Sequence, residues 1–232
     1  MAAGTAGRLS GSGLQDHTPE ELAMHEEKES LYVSDLSALE RIYGVPAAAS
    51  VSKEIDYLHP HYRAFIDASP FLALATCGPG GLDVSPRGDP KGFVEVRDDK
   101  TLLLPDRRGN NRIDSLRNIV SDPRVALLFM IPGIGETLRV NGRARILIDP
   151  AVLNRFAIDG KPPRSVLEIH VDTVFFQCSR AILRSRIWDA SEQIPRASLP
   201  SLGTILQDLS RQQIDGEQYD RELPERLKTT IY

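Results

Sequence analysis

The sequence predicts a mostly β protein with peripheral α-helices, folded as an antiparallel barrel. Three observations carry this. Six to eight short strand candidates lie between Phe71 and Cys178, bounded by glycine, proline and aspartate turn signals. Most connections between them are tight, as at Gly78-Pro79-Gly80-Gly81 and Asp98-Asp99, which favours neighbouring antiparallel strands over βαβ crossovers. No G-x-G-x-x-G follows a strand, so a Rossmann dinucleotide site has no support.

Taken in order, residues 1–20 are small and polar and read as a flexible tail. Thr18 is the candidate N-cap of a helix with Pro19 at its first position. Ser34 is a second N-cap candidate. Leu36, Leu39, Ile42 and Tyr43 follow it at helical spacing, and Gly44 and Pro46 mark the stop. Residues 60–68 read as a short helix presenting Tyr62, Phe65 and Ile66. Phe71 to Thr76 is the first strand and Asp83 to Pro86 its hairpin return. Gly92 to Val96 and Thr101 to Leu104 follow as strands. Asn110 to Val120 has Ile113, Leu116 and Ile119/Val120 on one helical face.

Arg124 to Ile131 is a nearly continuous apolar run, read as a buried strand ended by Pro132 and Gly133. Thr137 to Ile148 alternates in both halves around Asn141-Gly142, which is either a tight turn or a bulge in one long strand. A short helix is expected over 150–157, and two more strands over Ser165 to Val171 and Thr173 to Cys178. Ser179 to Ile187 fits helix or extended chain equally. Beyond it the chain is polar, broken at Pro195, Pro200 and Pro224, with one weak helix near 201–211. The expected division is an N-terminal tail or arm over 1–33, helices packing on the barrel over 34–69, the barrel domain over 70–190 and a C-terminal extension over 191–232.

Bulk composition narrows the function. Of 232 residues, 41% are hydrophobic and 26% charged, near globular averages, so a packed core is expected. A net charge of −4 argues against a general nucleic-acid binder, which needs a basic face. Two cysteines, Cys77 and Cys178, make neither a disulfide framework nor a cysteine-rich zinc site, and neither has signs of activation. The N-terminal segment lacks the apolar core of about 7–15 residues of a signal peptide. No segment approaches the ~18 apolar residues of a membrane span. The expectation is a soluble, cytoplasmic protein with no membrane or nucleic-acid partner.

The stretch TLLLPDRRGNNRIDSLR, from Thr101 to Arg117, carries the chemistry. It reads as strand, loop and helix start, which offers free backbone N–H groups and the positive end of a helix dipole. Gly109 allows close approach, and guanidinium groups add fixed charge. That combination suits a phosphate. Arg87 ends an earlier strand after Ser85-Pro86. In an antiparallel barrel, Arg87 and Arg112 either grip one phosphate from two sides or stand as surface arginines. Arg107, Arg108 and Arg117 read as surface charges. Asp106 either accepts a hydrogen bond from a ligand N–H or caps the loop. His59 and His61 flank Pro60 without a third or fourth ligand, so no metal site is expected, and His170 reads as an exposed strand residue. Trp188 follows Arg180, Arg184 and Arg186 and either stacks on a flat ring or packs in a core or interface.

The segments FLALATCGPGGLDVSPRGD, LLLPDRRGNNRIDSLRNI, RVALLFMIPG, TLRVNGRARI and QCSRAILRSRIWD together resemble the pyridoxamine 5′-phosphate oxidase-like family of FMN-binding split barrels. The last resembles its subgroup of FMN-dependent oxidases without an assigned substrate. The resemblance implies a six-stranded antiparallel, Greek-key-like split β-barrel that forms a homodimer with FMN at the subunit interface. It maps the ribityl phosphate onto Ser85, Arg87, Asn111 and Arg112. It sets Leu104, Pro105 and Asp106 against the isoalloxazine, and implies that the second subunit closes the site with Gln177, Arg186 and Trp188.

Two departures bear on activity. Oxidase members carry serine-arginine-lysine in the phosphate loop, whereas Asn110-Asn111-Arg112 has one charge fewer. Their C-terminal tryptophan, glycine, arginine and histidine signature, which serves pyridoxal phosphate, is absent after Trp188. The implied function is therefore an FMN-dependent oxidoreductase acting on a small-molecule substrate or electron donor, with no catalytic acid or base assigned. The alternative is a carrier or sensor of flavin, haem or deazaflavin on the same fold.

Overall fold

The structure is a computed structural model and describes residues 31–232. The expected tail, the helix start at Thr18, and His17 and His25 lie outside the described residues. The described residues fall into two units, divided between Ala48 and Ala49. In the first, a helix spans Leu36–Tyr43. Its N-cap is Asp35 rather than Ser34, because the Asp35 carboxylate accepts the Ala38 N–H at 2.8 Å. Gly44, at φ 71°, ends it as expected.

The second unit is a seven-stranded antiparallel sheet: β1 Phe71–Gly78, β2 Gly81–Gly88, β3 Glu95–Val96, β4 Thr101–Asp106, β5 Arg124–Met130, β6 Thr137–Leu147 and β7 Ser165–Gln177. The order is β2-β1-β5-β6-β7-β4-β3. This is the mostly β, antiparallel architecture expected of a split barrel. Strand alternation builds the core. Leu72 and Leu74 of β1, Leu102 and Leu104 of β4, Leu127 and Phe129 of β5, Leu138 and Val140 of β6, and Leu167 and Ile169 of β7 are all buried. The Pro60–Ala68 helix adds Ile66, and Pro60 opens it at a position where a missing N–H costs nothing.

Several elements differ from expectation. The two strands over Ser165–Val171 and Thr173–Cys178 are one strand, β7. The apparent break is a bulge: Asn141 faces Thr173 while Gly142 faces Val171, so Asp172 is the extra residue. Asn141-Gly142 is accordingly neither a turn nor itself bulged: it runs straight through one long β6 and lies opposite the bulge of β7. A Cβ at Gly142 would collide with the His170 carbonyl. The third strand keeps only Glu95–Val96. Arg180–Ser185 is helical. Helices at Ala48–Ser52 and Gly216–Thr230 were not expected; the second is polar and carries Pro224 internally, so its pattern gives a weak apolar stripe.

The helix expected from Asn110 starts instead at Asp114 and runs to Ser121. Asn110 Oδ1 accepts the Arg112 N–H at 3.0 Å, and Asn111 sits at φ 61°. This local turn takes the backbone out of helix until Ile113. Ser115 and Ile119 then bury against the barrel. Asn118 lies so close to Gly78 that no side chain fits there, and its amide donates to Thr76 Oγ1 at 3.1 Å.

Candidate functional site

β2 ends one edge of the sheet and β4 lies next to the other edge, yet the sheet curls until they approach. Arg87 Nη1 lies 3.7 Å from Asp106 Oδ1 across the gap. No ladder joins these strands, so the barrel is split here. β2 alternates so that Asp83, Ser85 and Arg87 face the split, while Leu82 and Val84 face outward.

The split holds a cavity of about 570 Å³. Its walls are Asp83, Ser85 and Arg87 from β2, Phe93, Pro105 from β4, the loop residues Arg107 to Asn110 with Arg112, and Asp114 and Ser115 at the helix start. A smaller cavity of about 170 Å³ shares Arg87 and Arg112 and adds Asp106, Asn111, Arg164 and Ser165. Arg87 and Arg112 therefore line one space, as the phosphate expectation requires.

Three features make this space receptive to an anion. First, the helix at Asp114–Ser121 has Ile113 at its N-cap and no side-chain cap, so its first N–H groups lack a local acceptor from that residue. Second, Arg87 Nε is buried and has no hydrogen-bond partner among the described residues. Third, four arginines line the larger cavity against two aspartates. Asp83 is engaged: Ser115 Oγ donates to its Oδ2 at 2.8 Å and lies 3.0 Å from Ser85 Oγ. Arg112 is exposed and bonds Asp114 through Nε at 2.5 Å. Burial pushes the Asp106 carboxyl above its ordinary range, against the opposing pull of Arg87 and Arg164.

The arginines are not equivalent. Arg107 is tied down, donating to Asp89 Oδ2 at 2.5 Å and to the Phe156 carbonyl at 2.6 Å. That is a structural role within the cavity wall. Asn111 Oδ1 accepts from Arg164 Nη1 at 2.9 Å, which anchors the loop to the start of β7.

The other expected residues lie as follows. Pro105 faces the cavity, whereas the Leu104 side chain is fully buried in the core and lines none of these spaces. Gln177, at the end of β7, Arg186 and Trp188 line none of them either. Arg186 adopts a left-handed backbone and pairs with Asp189 and Glu192, and Trp188 Nε1 donates to the Ile134 carbonyl at 2.8 Å. Within one chain none of these three meets the Arg87 and Arg112 cavity. His59 Nδ1 accepts the His61 N–H at 3.2 Å, and among the described residues no group of three metal-ligating side chains occurs.

Sequence reasoning missed Asp83, Ser115, Phe93 and Arg164. Asp83 was legible from the period of two that links it to Ser85 and Arg87. Ser115 needed the true helix start, and Arg164 needed the tertiary meeting of β7 with the loop.

A family model described as pyridoxamine 5′-phosphate oxidase matches residues 58–178, more than half of the chain. No curated protein matches. Among solved structures, HupZ of Group A Streptococcus is 19% identical over 52% of this chain and 94% of its own, with a TM-score of 0.43. A Clostridium acetobutylicum protein related to general stress protein 26, of the pyridoxinephosphate oxidase family, is 15% identical over 51% of this chain and 86% of its own, TM-score 0.41. An FAD-binding protein of Mesorhizobium loti is 20% identical over 50% of this chain and 89% of its own, TM-score 0.36.

Proposed function

We propose that this chain, which belongs to the pyridoxamine 5′-phosphate oxidase family, binds FMN by its phosphate in the split between β2 and β4 and works as a flavin-dependent oxidoreductase. The observation that carries the reading is the convergence of Arg87 and Arg112, from different strand ends, on one cavity beside an uncapped helix start. The cavity volume falls within the roughly 300–1,000 Å³ usual for cofactor sites. An anion there gives the buried Nε of the half-buried Arg87 a strong partner and meets the helix N–H groups.

In this reading Arg87, Ser85 and the N–H groups of Asp114 and Ser115 hold the phosphate. Arg112 exchanges its Asp114 partner for it, and Asn111 keeps the loop in its left-handed turn. Pro105 and Phe93 offer apolar surface to a flat ring, and Asp106 presents a carboxyl oxygen to a ring N–H. Bound FMN would supply reversible acceptance of a hydride or electrons. The chain's part is to orient the ring and tune its surroundings.

We also place a second copy of the chain against the outer face of β2, β1 and β5. Leu82 and Val84 are 87% and 67% exposed there, continuous with Phe71, Ala73, Ala75, Leu128 and Met130 on the same face. In such a homodimer Gln177, Arg186 and Trp188 of one copy close the site of the other.

The test is a spectrum of the purified full chain. One flavin per chain, bleached by NADH, NADPH or another small reductant, is the expected result. Protein that takes up no added FMN overturns the reading, and flavin that binds but resists every reductant reassigns the chain as a carrier or sensor.

A further inference from the structure

Beyond Trp188 the chain forms two helices, Leu202–Leu209 and Gly216–Thr230, which are hydrogen-bonded to each other. Asp220 Oδ1 accepts the Gly203 N–H at 2.8 Å, and Gln207 Oε1 accepts the Gly216 N–H at 2.9 Å. A Cβ at either glycine would strike the carbonyl of the other, so the helices meet backbone to backbone. Their attachment to the barrel unit is concentrated at one residue. Among the described residues, both hydrogen bonds between residues 193–232 and 49–188 fall on Tyr232.

That residue reaches the wall of the flavin cavity. The Tyr232 hydroxyl donates to Asp89 Oδ1 at 2.7 Å, and its main-chain oxygen accepts from Lys161 Nζ at 3.3 Å. The Asp89 side chain is only 1% exposed, so each of its oxygens needs a donor. Oδ2 accepts from Arg107 Nε at 2.5 Å. The Asp89 N–H donates to the Pro70 carbonyl at 3.1 Å, which fixes the carboxylate just beyond β2. Arg107 Cζ also lies 5.7 Å from the centre of the Tyr232 ring, within cation–π range. Arg107 in turn lines the larger cavity. One buried carboxylate therefore joins the end of β2, the loop at the split and Tyr232.

We propose that Tyr232 is a positioning residue for the flavin cavity: through Asp89 it holds Arg107, and with it the loop over 107–112, in the form that encloses the cofactor. The proposal rests on the flavin reading for the identity of what the cavity holds, and deepens it by coupling that site to the helix pair. Without the hydroxyl, one Asp89 oxygen is buried with no donor. Arg107, already on that carboxylate, turns to answer both oxygens and leaves its place in the cavity wall. Such coupling is reciprocal, so a filled cavity holds Tyr232 more tightly by the same factor.

The test uses Tyr232→Phe in the full chain, which keeps the ring and removes the hydroxyl. Amide hydrogen exchange is followed with and without FMN, and FMN dissociation is followed by stopped-flow fluorescence. Without FMN, the variant should exchange faster than the parent over 107–112. FMN should leave the variant about fivefold faster, the worth of one net hydrogen bond. Saturating FMN should slow exchange over 228–232 in the parent and not in the variant. In an Arg107→Lys background, Tyr232→Phe should add nothing further to FMN dissociation, because the route through Arg107 is already broken. The proposal is overturned if FMN leaves parent and variant at the same rate, or if bound FMN does not alter exchange over 228–232. It is also overturned if Tyr232→Phe acts as strongly in the Arg107→Lys background. Failure of the flavin reading looks different: FMN binds neither chain, while Tyr232→Phe still loosens 107–112.

Discussion

The wall formed by β5, β6 and β7 and the split between β2 and β4 belong to one sheet, yet they are finished differently. In the wall every strand has two neighbours and the inward side chains are apolar, so polar groups are spent in ladders. At the split the ladder stops. Among the described residues Arg87 Nε has no partner, the helix at Asp114 lacks a side-chain cap, and Asp106 is half-buried where its charge is penalised. Local satisfaction builds the wall, and where it is incomplete we place the proposed ligand.

The largest effect expected from this contrast is on the wall. Phe129→Ala opens a cavity in the core and should cost about 3–5 kcal/mol of unfolding free energy by denaturant titration. Arg87→Ala is the mirror case. It should leave the folded state nearly as stable while weakening FMN binding by about 3 kcal/mol, or more than a hundredfold, in a fluorescence titration. If Arg87→Ala instead unfolds the chain, the arginine belongs to the scaffold and the contrast fails.

Ser115→Ala sharpens the boundary between the two regions. It removes the hydroxyl that holds Asp83 and would turn that carboxylate toward a phosphate bound as proposed. A loss of about 1 kcal/mol in FMN binding is expected, read by the same titration.

The smallest effect is that of Asp106→Asn, and it depends on pH. Burial raises the Asp106 pKa in the folded chain, so the fold favours the protonated form. That contribution is complete below the unfolded value of about 3.9 and is lost as pH rises through the folded value. Asn cannot ionise. Melting temperatures of the variant and the parent should therefore agree near pH 3, with the variant gaining as pH rises toward 7.

The two regions were also unequally legible. The wall could be read because alternation is a local signal: Arg124–Met130 and Thr137–Leu147 were visible as strands, and Asp149-Pro150 announced its helix. Where a bulge imitates a turn, as at Asp172, the pattern alone divides one strand into two. At the split, residue types were legible but partners were not. Arg87 and Arg112 stood out by charge and position, whereas nothing near Arg164 in sequence points to Asn111. The helix start was misread because an asparagine turn competes with helix over 110–112. The polar Gly216–Thr230 helix lacks the apolar stripe that would have revealed it.

The claim at the centre is that guanidinium groups at the split grip a phosphate. Comparing FMN with riboflavin, which lacks that group, isolates it. The full chain should bind FMN more than about a hundredfold tighter than riboflavin, and Arg87→Ala should collapse that ratio toward one. Equal affinity for the two flavins in the unaltered chain would contradict the account.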